Sequence, residues 1–193
     1  MPYVDNVPHA GSGELLVTSM FEEPTGTIAR TVPRALVTNA ALAMNGTTQA
    51  IGKSIALAGG MIVRTIMLLT GTTPANGPTH LWYALTDVQL NVLGVTADQG
   101  AGAIGASTFF NLALTAPFQV VNSGLYYIVV SASATVTMPT LAGAVNTAAG
   151  NAAKVPVACG TIAAQAAPPA IGAQLNSGTI TGNDAFNFAA WLS

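Results

Sequence analysis

The chain has 193 residues, of which 51% are hydrophobic and 6% charged, with a formal net charge of −2. High apolarity with low charge excludes intrinsic disorder, and the charge balance provides no basic field for nucleic acid. The length suits one domain, or one domain with an arm, and is ample for a hydrophobic core. Ala (35), Thr (23) and Gly (20) dominate the composition. With so few charges, the surface must be made of Thr, Ser, Asn, Gln, Ala and Gly, which is poor at keeping a free monomer in solution. Such a surface is expected to be covered by copies of itself or by a larger assembly.

The first stretch reads differently from the rest. Residues 1–23 carry Asp5, Glu14, Glu22 and Glu23, and from Pro24 to Thr86 the only charges are Arg30, Arg34, Lys53 and Arg64. Pro2, Pro8, Pro24 and Pro33 interrupt this region, which shows little periodicity. Residues 1–35 therefore read as an extended arm. Its acidic end and basic follow-on (Asp5, Glu14, Glu22, Glu23, Arg30, Arg34) form either a candidate anchor that pairs with neighbouring copies or an ordinary solvated tail. No basic region followed by an apolar run marks a signal peptide. Residues 36–193 read as the folded domain.

Within 34–58 the signals conflict. Ala-Leu-Ala-Met favours helix by propensity, whereas the Thr, Asn and Gly content favours strand and turn, with Asn45-Gly46 a candidate hairpin turn. The most apolar window, Ile55–Thr70, contains Gly59-Gly60 and Arg64. It falls short of the roughly 20 apolar residues of a spanning helix, so no membrane segment is expected. The expected alternative is a strand buried on both faces.

From residue 61 onward the pattern is β. Met61–Leu69 is β-branched and apolar, 71–80 reads as a turn-rich loop, and Leu81–Leu85 as a second strand. Asp87 starts a turn, Leu90–Val95 returns, and 97–107 is a Gly/Ala loop. Phe110, Leu112 and Leu114 alternate with small or polar residues at period two. Pro117 precedes Phe118–Val121, and Leu125–Thr135 is the longest strand candidate. Residues 138–156 and 163–176 read as loops, with short strands at Val157–Ile162, Gly178–Thr181 and Ala185–Leu192. About eight short strands separated by turns predict an all-β protein, an antiparallel β-sandwich or jelly-roll-like domain behind an extended N-terminal arm.

Chemistry-bearing motifs are sparse. Gly46–Ser54 approaches a phosphate-binding loop, but five residues separate its glycines where four are needed. Only His9 and His80 could serve as imidazole bases, and no serine sits in a nucleophile elbow. His80 reads as a hydrogen-bonded structural residue and Cys159 as a small buried hydrophobe. The acids are too scattered for a metal site or a glycosidase pair, so no enzyme activity, cofactor or metal is expected. The aromatics are the one feature with a binding reading. Trp82, Tyr83, Tyr126, Tyr127 and Trp191, with Phe186 and Phe188, could stack on sugars or anchor a partner. Adjacent aromatics in Trp82-Tyr83 and Tyr126-Tyr127 point to opposite strand faces. One of each pair is then expected in the core and the other on an outer or inter-subunit face, and packing outweighs a sugar platform.

Six pieces carry a resemblance across residues 61–142. They are Trp82-Tyr83-Ala84-Leu85-x-Asp87, then Asn91-x-Leu93, Thr96-Ala97-Asp98 and Leu112-x-Leu114-x-x-Pro117-Phe118-x-Val120. Ser123-Gly124-Leu125-Tyr126-Tyr127 and Met138-Pro139-Thr140-Leu141-x-Gly143 complete the set. In order and spacing they resemble a domain of virion proteins of tailed phages of actinobacteria. The resemblance covers less than half of the chain. It implies a β-sandwich head, trimeric, on a fibre, tail or capsid surface, with no catalytic residues to carry over. The expectation is a non-enzymatic trimer decorating the capsid exterior, its partners being its own copies and the major capsid protein or another virion protein. The alternative is a tail-tip or fibre protein that binds host-surface glycans.

Overall fold

The computed structural model describes residues 26–32, 37–44, 46–145, 159–163, 165–175, 180–182 and 186–193. In chain order the strands are β1 (Ala29–Arg30), β2 (Thr38–Ala43), β3 (Thr48–Leu57), β4 (Ile62–Leu69), β5 (Asn76–Thr86), β6 (Val92–Val95) and β7 (Phe109–Gln119). There follow β8 (Gly124–Thr137), β9 (Thr140–Val145), β10 (Cys159–Ile162), β11 (Thr181–Gly182), β12 (Phe186–Phe188) and β13 (Ala190–Leu192). No helix is present among the described residues, and none is long and apolar enough to cross a membrane.

Every strand pairing is antiparallel. One sheet has the order β11-β10-β3-β8-β5-β6, a second β1-β13-β4-β7 and a third β12-β9-β2. The two smaller sheets act as one layer. A bridge between Thr70 and Leu141 joins β4 to β9, and the chain steps from β12 into β13 at Ala189, whose amide donates to Ala142 O at 2.9 Å. The result is an antiparallel β-sandwich.

Strict alternation along the long strands builds its core. Leu81, Tyr83 and Leu85 of β5 and Tyr126, Ile128 and Val130 of β8 face inward, against Val63, Ile66 and Leu68 of β4, Leu141 of β9 and Phe188 of β12. Each such aliphatic or aromatic side chain contributes roughly 1.5–3 kcal/mol by leaving water. The intervening residues of the large sheet, including Trp82, Ala84, Tyr127 and Val129, form a second cluster on its outer face with Leu90, Ile162 and Leu175. A third cluster, Val32, Leu69, Ala142, Ala189 and Trp191, covers the far side of the opposite layer. Both outer faces of the sandwich are thus partly covered, which explains the near-continuous apolar runs in β4 and β8.

Several sequence expectations change on this frame. β1, counted with the arm, pairs with β13, and Val32 is buried beside Trp191, so Ala29–Val32 belongs to the sandwich. The rest of the expected arm, residues 1–25 and 33–36 with Asp5, Glu14, Glu22, Glu23 and Arg34, lies outside the described residues. Of the expected Asn45-Gly46 turn, Asn45 lies outside the described residues; the strands on either side, β2 and β3, do not pair with each other, since β2 pairs with β9 and β3 with β8 and β10. The loop expected over 71–80 contains the first half of β5, which β8 recruits in spite of Gly77 and Pro78 by accepting two register shifts. β9 occupies part of the expected 138–156 loop, where small residues fit a close approach. A side chain on Gly143 would overlap the Asn187 carbonyl and Phe188 Cα.

Gly143→Ala is therefore expected to lower stability by about 1–3 kcal/mol. Gly124→Ala, where a Cβ meets nothing within 4 Å, should stay near wild type, as read by chemical denaturation. Tyr83 gives the opposite sign. Its phenol is buried and pushed up by that burial, and its hydroxyl has no hydrogen-bond partner among the described residues. Tyr83→Phe should leave stability unchanged or raise it by about 1 kcal/mol in the same measurement.

Candidate functional site

The aromatic candidates come first because their burial decides their use. Trp82, Tyr83, Tyr127 and Trp191 are each no more than 2% exposed, and Tyr126 is 9% exposed. The opposite-face expectation holds: Tyr83 and Tyr126 point into the core between the layers, Trp82 and Tyr127 to the outer face of the large sheet. The outer pair is nevertheless covered. Trp191 lies edge-on to Phe109 with ring centroids 5.5 Å apart, and the Tyr126 hydroxyl donates to Asn122 O at 2.7 Å. None of the five forms a surface platform, which corrects the stacking reading in favour of packing.

Part of that cover is a strap formed by residues 165–175. Trp82 and Ser131 are register partners on β5 and β8. The Trp82 Nε1–H donates to Ala166 O at 3.0 Å, and Ser131 Oγ donates to Gln165 O at 2.6 Å. Further along, Val92 N–H donates to Ala173 O and Leu175 N–H to Leu90 O, tying the strap to the start of β6. Two adjacent side-chain donors thus hold two consecutive carbonyls of an Ala/Pro segment whose backbone would otherwise lack strand partners.

Among the described residues, a cluster of hydroxyl, imidazole and carboxylate side chains lies beside this strap. Thr48 of β3, Ser133 of β8 and His80 of β5 occupy one cross-strand row: Thr48 pairs with Ser133, and Ser133 with His80. Ser133 Oγ donates to Thr48 Oγ1 at 2.9 Å. His80 Nδ1 meets Asp98 Oδ2 at 2.5 Å. The other oxygen of Asp98 accepts the amides of Leu81 at 3.1 Å and Gly100 at 2.9 Å. Partial burial pushes the Asp98 carboxyl up, but the hydrogen bonds from His80, Gly100 and Leu81 and the nearby imidazole charge outweigh it. Asp98 consequently titrates below the usual carboxylate range. With the carboxylate ionised, the Nδ1 hydrogen of His80 is directed to it, and Nε2 has no hydrogen-bond partner among the described residues. Ser133 is almost fully buried, whereas the side chains of His80 and Asp98 keep 35% and 25% exposure.

The register shift between Pro78 and His80 places this row, since a bulge re-aims the residue that follows it. Sequence reading identified His80 as hydrogen-bonded but missed Asp98, Ser133 and Thr48, whose association depends on strand register. Arg30 is exposed on β1 opposite Trp191. His9 and the other charged arm residues named above lie outside the described residues. From Thr48 the Gly46–Ser54 stretch is strand β3, with Lys53 buried between β8 and β10, so its amides do not form a phosphate cradle. Cys159 is a buried thiol. Among the described residues no group of three or more His, Cys, Asp or Glu could hold a metal ion. No family model matches the chain, and no curated protein or solved structure matches it.

The depressed Asp98 carboxyl sets a pH dependence. A lowered folded-state value adds stability above the unfolded value, near 4, and that stability is lost as pH falls through the folded value. Denaturation midpoints measured from pH 6 downward should fall below about pH 4 in the wild type, with a shallower fall in Asp98→Asn. For the strap, Trp82→Phe leaves the Ala166 carbonyl without its donor. It should cost about 1–2 kcal/mol and accelerate amide exchange at Leu175 more than at Val129.

Proposed function

We propose that this is a virion structural protein that works by assembly and not by catalysis, most specifically a trimeric protein decorating the exterior of a phage capsid. The observation that carries the reading is a long uncharged surface. Between Asp98 and Lys154 there is no charged side chain. This interval supplies β7, β8 and β9 and leaves Phe109 40%, Val136 71% and Val121 78% exposed. Uncharged, partly apolar surface on long antiparallel strands suits burial against other subunits better than contact with water. The antiparallel sandwich agrees with the head domain that the sequence resemblance implies.

In this reading the partners are other copies of the chain and the major capsid protein or another virion protein, and no cofactor is needed. A protein that binds only the assembled shell stabilises it by linkage. Residues before Gly26 are the anchor in this scheme, because Ala29–Val32 is already committed to β13 and Trp191.

Quantitative mass spectrometry of purified particles, referenced to the major capsid protein, tests the location. Copies in the hundreds are expected. A few to a few tens would move the protein to the tail and favour the glycan-binding alternative, and absence from particles would overturn both. Native mass spectrometry of the purified chain should give a trimer. Deletion of residues 1–25 should leave that oligomer folded but unable to bind particles.

A further inference from the structure

We propose that the row of Thr48, Ser133 and His80 on the outer face of the six-stranded sheet is a binding shelf for a neutral saccharide or related polyol. This goes beyond the assembly reading and does not depend on where in a virion the protein sits.

Trp82, Tyr83, Tyr126, Tyr127, Phe188 and Trp191, all considered for sugar stacking, are buried, so recognition of a sugar at this row proceeds through hydrogen bonds. The row is suited to that. Thr48 Oγ1 accepts the Ser133 proton and keeps its own hydroxyl hydrogen to donate. His80, fixed through Nδ1 by Asp98, leaves Nε2 to meet a ligand hydroxyl. Ser133 sits below the two as a positioning residue that orients Thr48. Successive strands lie about 4.8 Å apart, which separates the Thr48 and His80 positions by about 10 Å and suits a ligand with several hydroxyls in line. The strap forms a side wall: Gln165 and Ala166 are held over Ser131 and Trp82, the neighbouring residues of β8 and β5 on the same face.

The charge pattern selects a neutral ligand. Asp98 is the one carboxylate bonded into the row, and its oxygens already accept from His80, Leu81 and Gly100. No lysine or arginine belongs to the row to attract a phosphate or carboxylate, and the His80 imidazole is already paired with Asp98. The bulge before His80 gives the device its local cause, because an unshifted β5 would present a different residue opposite Ser133.

The chain contains two histidines, His9 and His80, so a carbon–proton NMR spectrum of the imidazole Cε1–H groups yields two signals, one reporting the row and one serving as an internal control. The full-length protein would be titrated with D-glucose, D-galactose, N-acetylglucosamine and L-rhamnose through the millimolar range, and separately with inorganic phosphate. The expected result is a saturable shift of the His80 signal with at least one sugar, with His9 unmoved. Thr48→Val keeps the side-chain volume and should weaken that sugar at least tenfold, while Thr48→Ser should retain it. No saturable shift with any sugar, a response to phosphate alone, or undiminished binding by Thr48→Val would each overturn the proposal. The wild-type titration decides the matter even if the valine variant does not fold.

Discussion

Strand β8 is the constraint on which the rest of the molecule depends. It pairs with β3 along one edge and with β5 along the other, and it is buried on both faces from Tyr126 to Ala134. A strand so placed must satisfy every polar side chain it carries. Ser131 does this by donating to the strap carbonyl of Gln165, and Ser133 by donating to Thr48. The two serines of its buried stretch therefore fix the path of the strap and one wall of the polar row. The same strand supplies both the inner core and the outer cluster, so a slip of one residue would invert its inward and outward sets together.

The two carboxylates of the described fold, Asp87 and Asp98, do internal work. Asp87 accepts the amides of Gln89 and Asn91 and the side-chain amide of Asn91, shaping the turn between β5 and β6. That turn holds Leu90 at a φ of 62°, a left-handed backbone for a buried leucine, and the strap returns to hydrogen-bond its carbonyl. Asp98 closes the next connection by gripping β5 at Leu81 and His80. Both carboxylates are spent on backbone geometry, so the surface is poorer in usable charge than the composition alone suggests. Interactions of this surface must depend on shape, hydroxyls and amides more than on ion pairing.

Strand existence was largely legible in the sequence because period-two alternation and β-branched runs are local signals. Met61–Leu69 and Leu125–Thr135 correspond closely to β4 and β8. Asp87 announced its turn because Asp favours that role through short-range hydrogen bonds. Strand partners were not legible. Asn45-Gly46 has hairpin chemistry, yet β2 and β3 join different layers, since the partners that bury them, β9 and β8, lie far along the chain. The first half of β5 was hidden by Gly77 and Pro78, which read as turn residues until β8 provides an edge that tolerates bulges. Period two separates the members of each aromatic pair between the two faces of a strand but does not say which of them faces outward. Their cover was not foreseen, because residues 165–175 carry no periodicity and act through main-chain carbonyls. The polar row is not legible either: its three members come from three strands and the Asp98 that holds His80 comes from a loop, and register brings them together.

The strand order also dictates when the protein can finish folding. β1 has its sheet partner in β13, and Thr31 exchanges hydrogen bonds with Ala190 across a sequence separation of 159 residues. Neither β1 nor the β13 edge of β4 can be completed until Ala190–Leu192 has left the ribosome. Contacts this distant carry a loop-closure cost before they return any stability, which slows folding. During synthesis β4 would present an open edge, apolar from Ile66 to Leu69, to neighbouring nascent chains. An open edge of this kind is a standing risk of mispairing. Late closure by β13 makes the last strand of the fold the step that separates a finished subunit from an aggregation-prone intermediate.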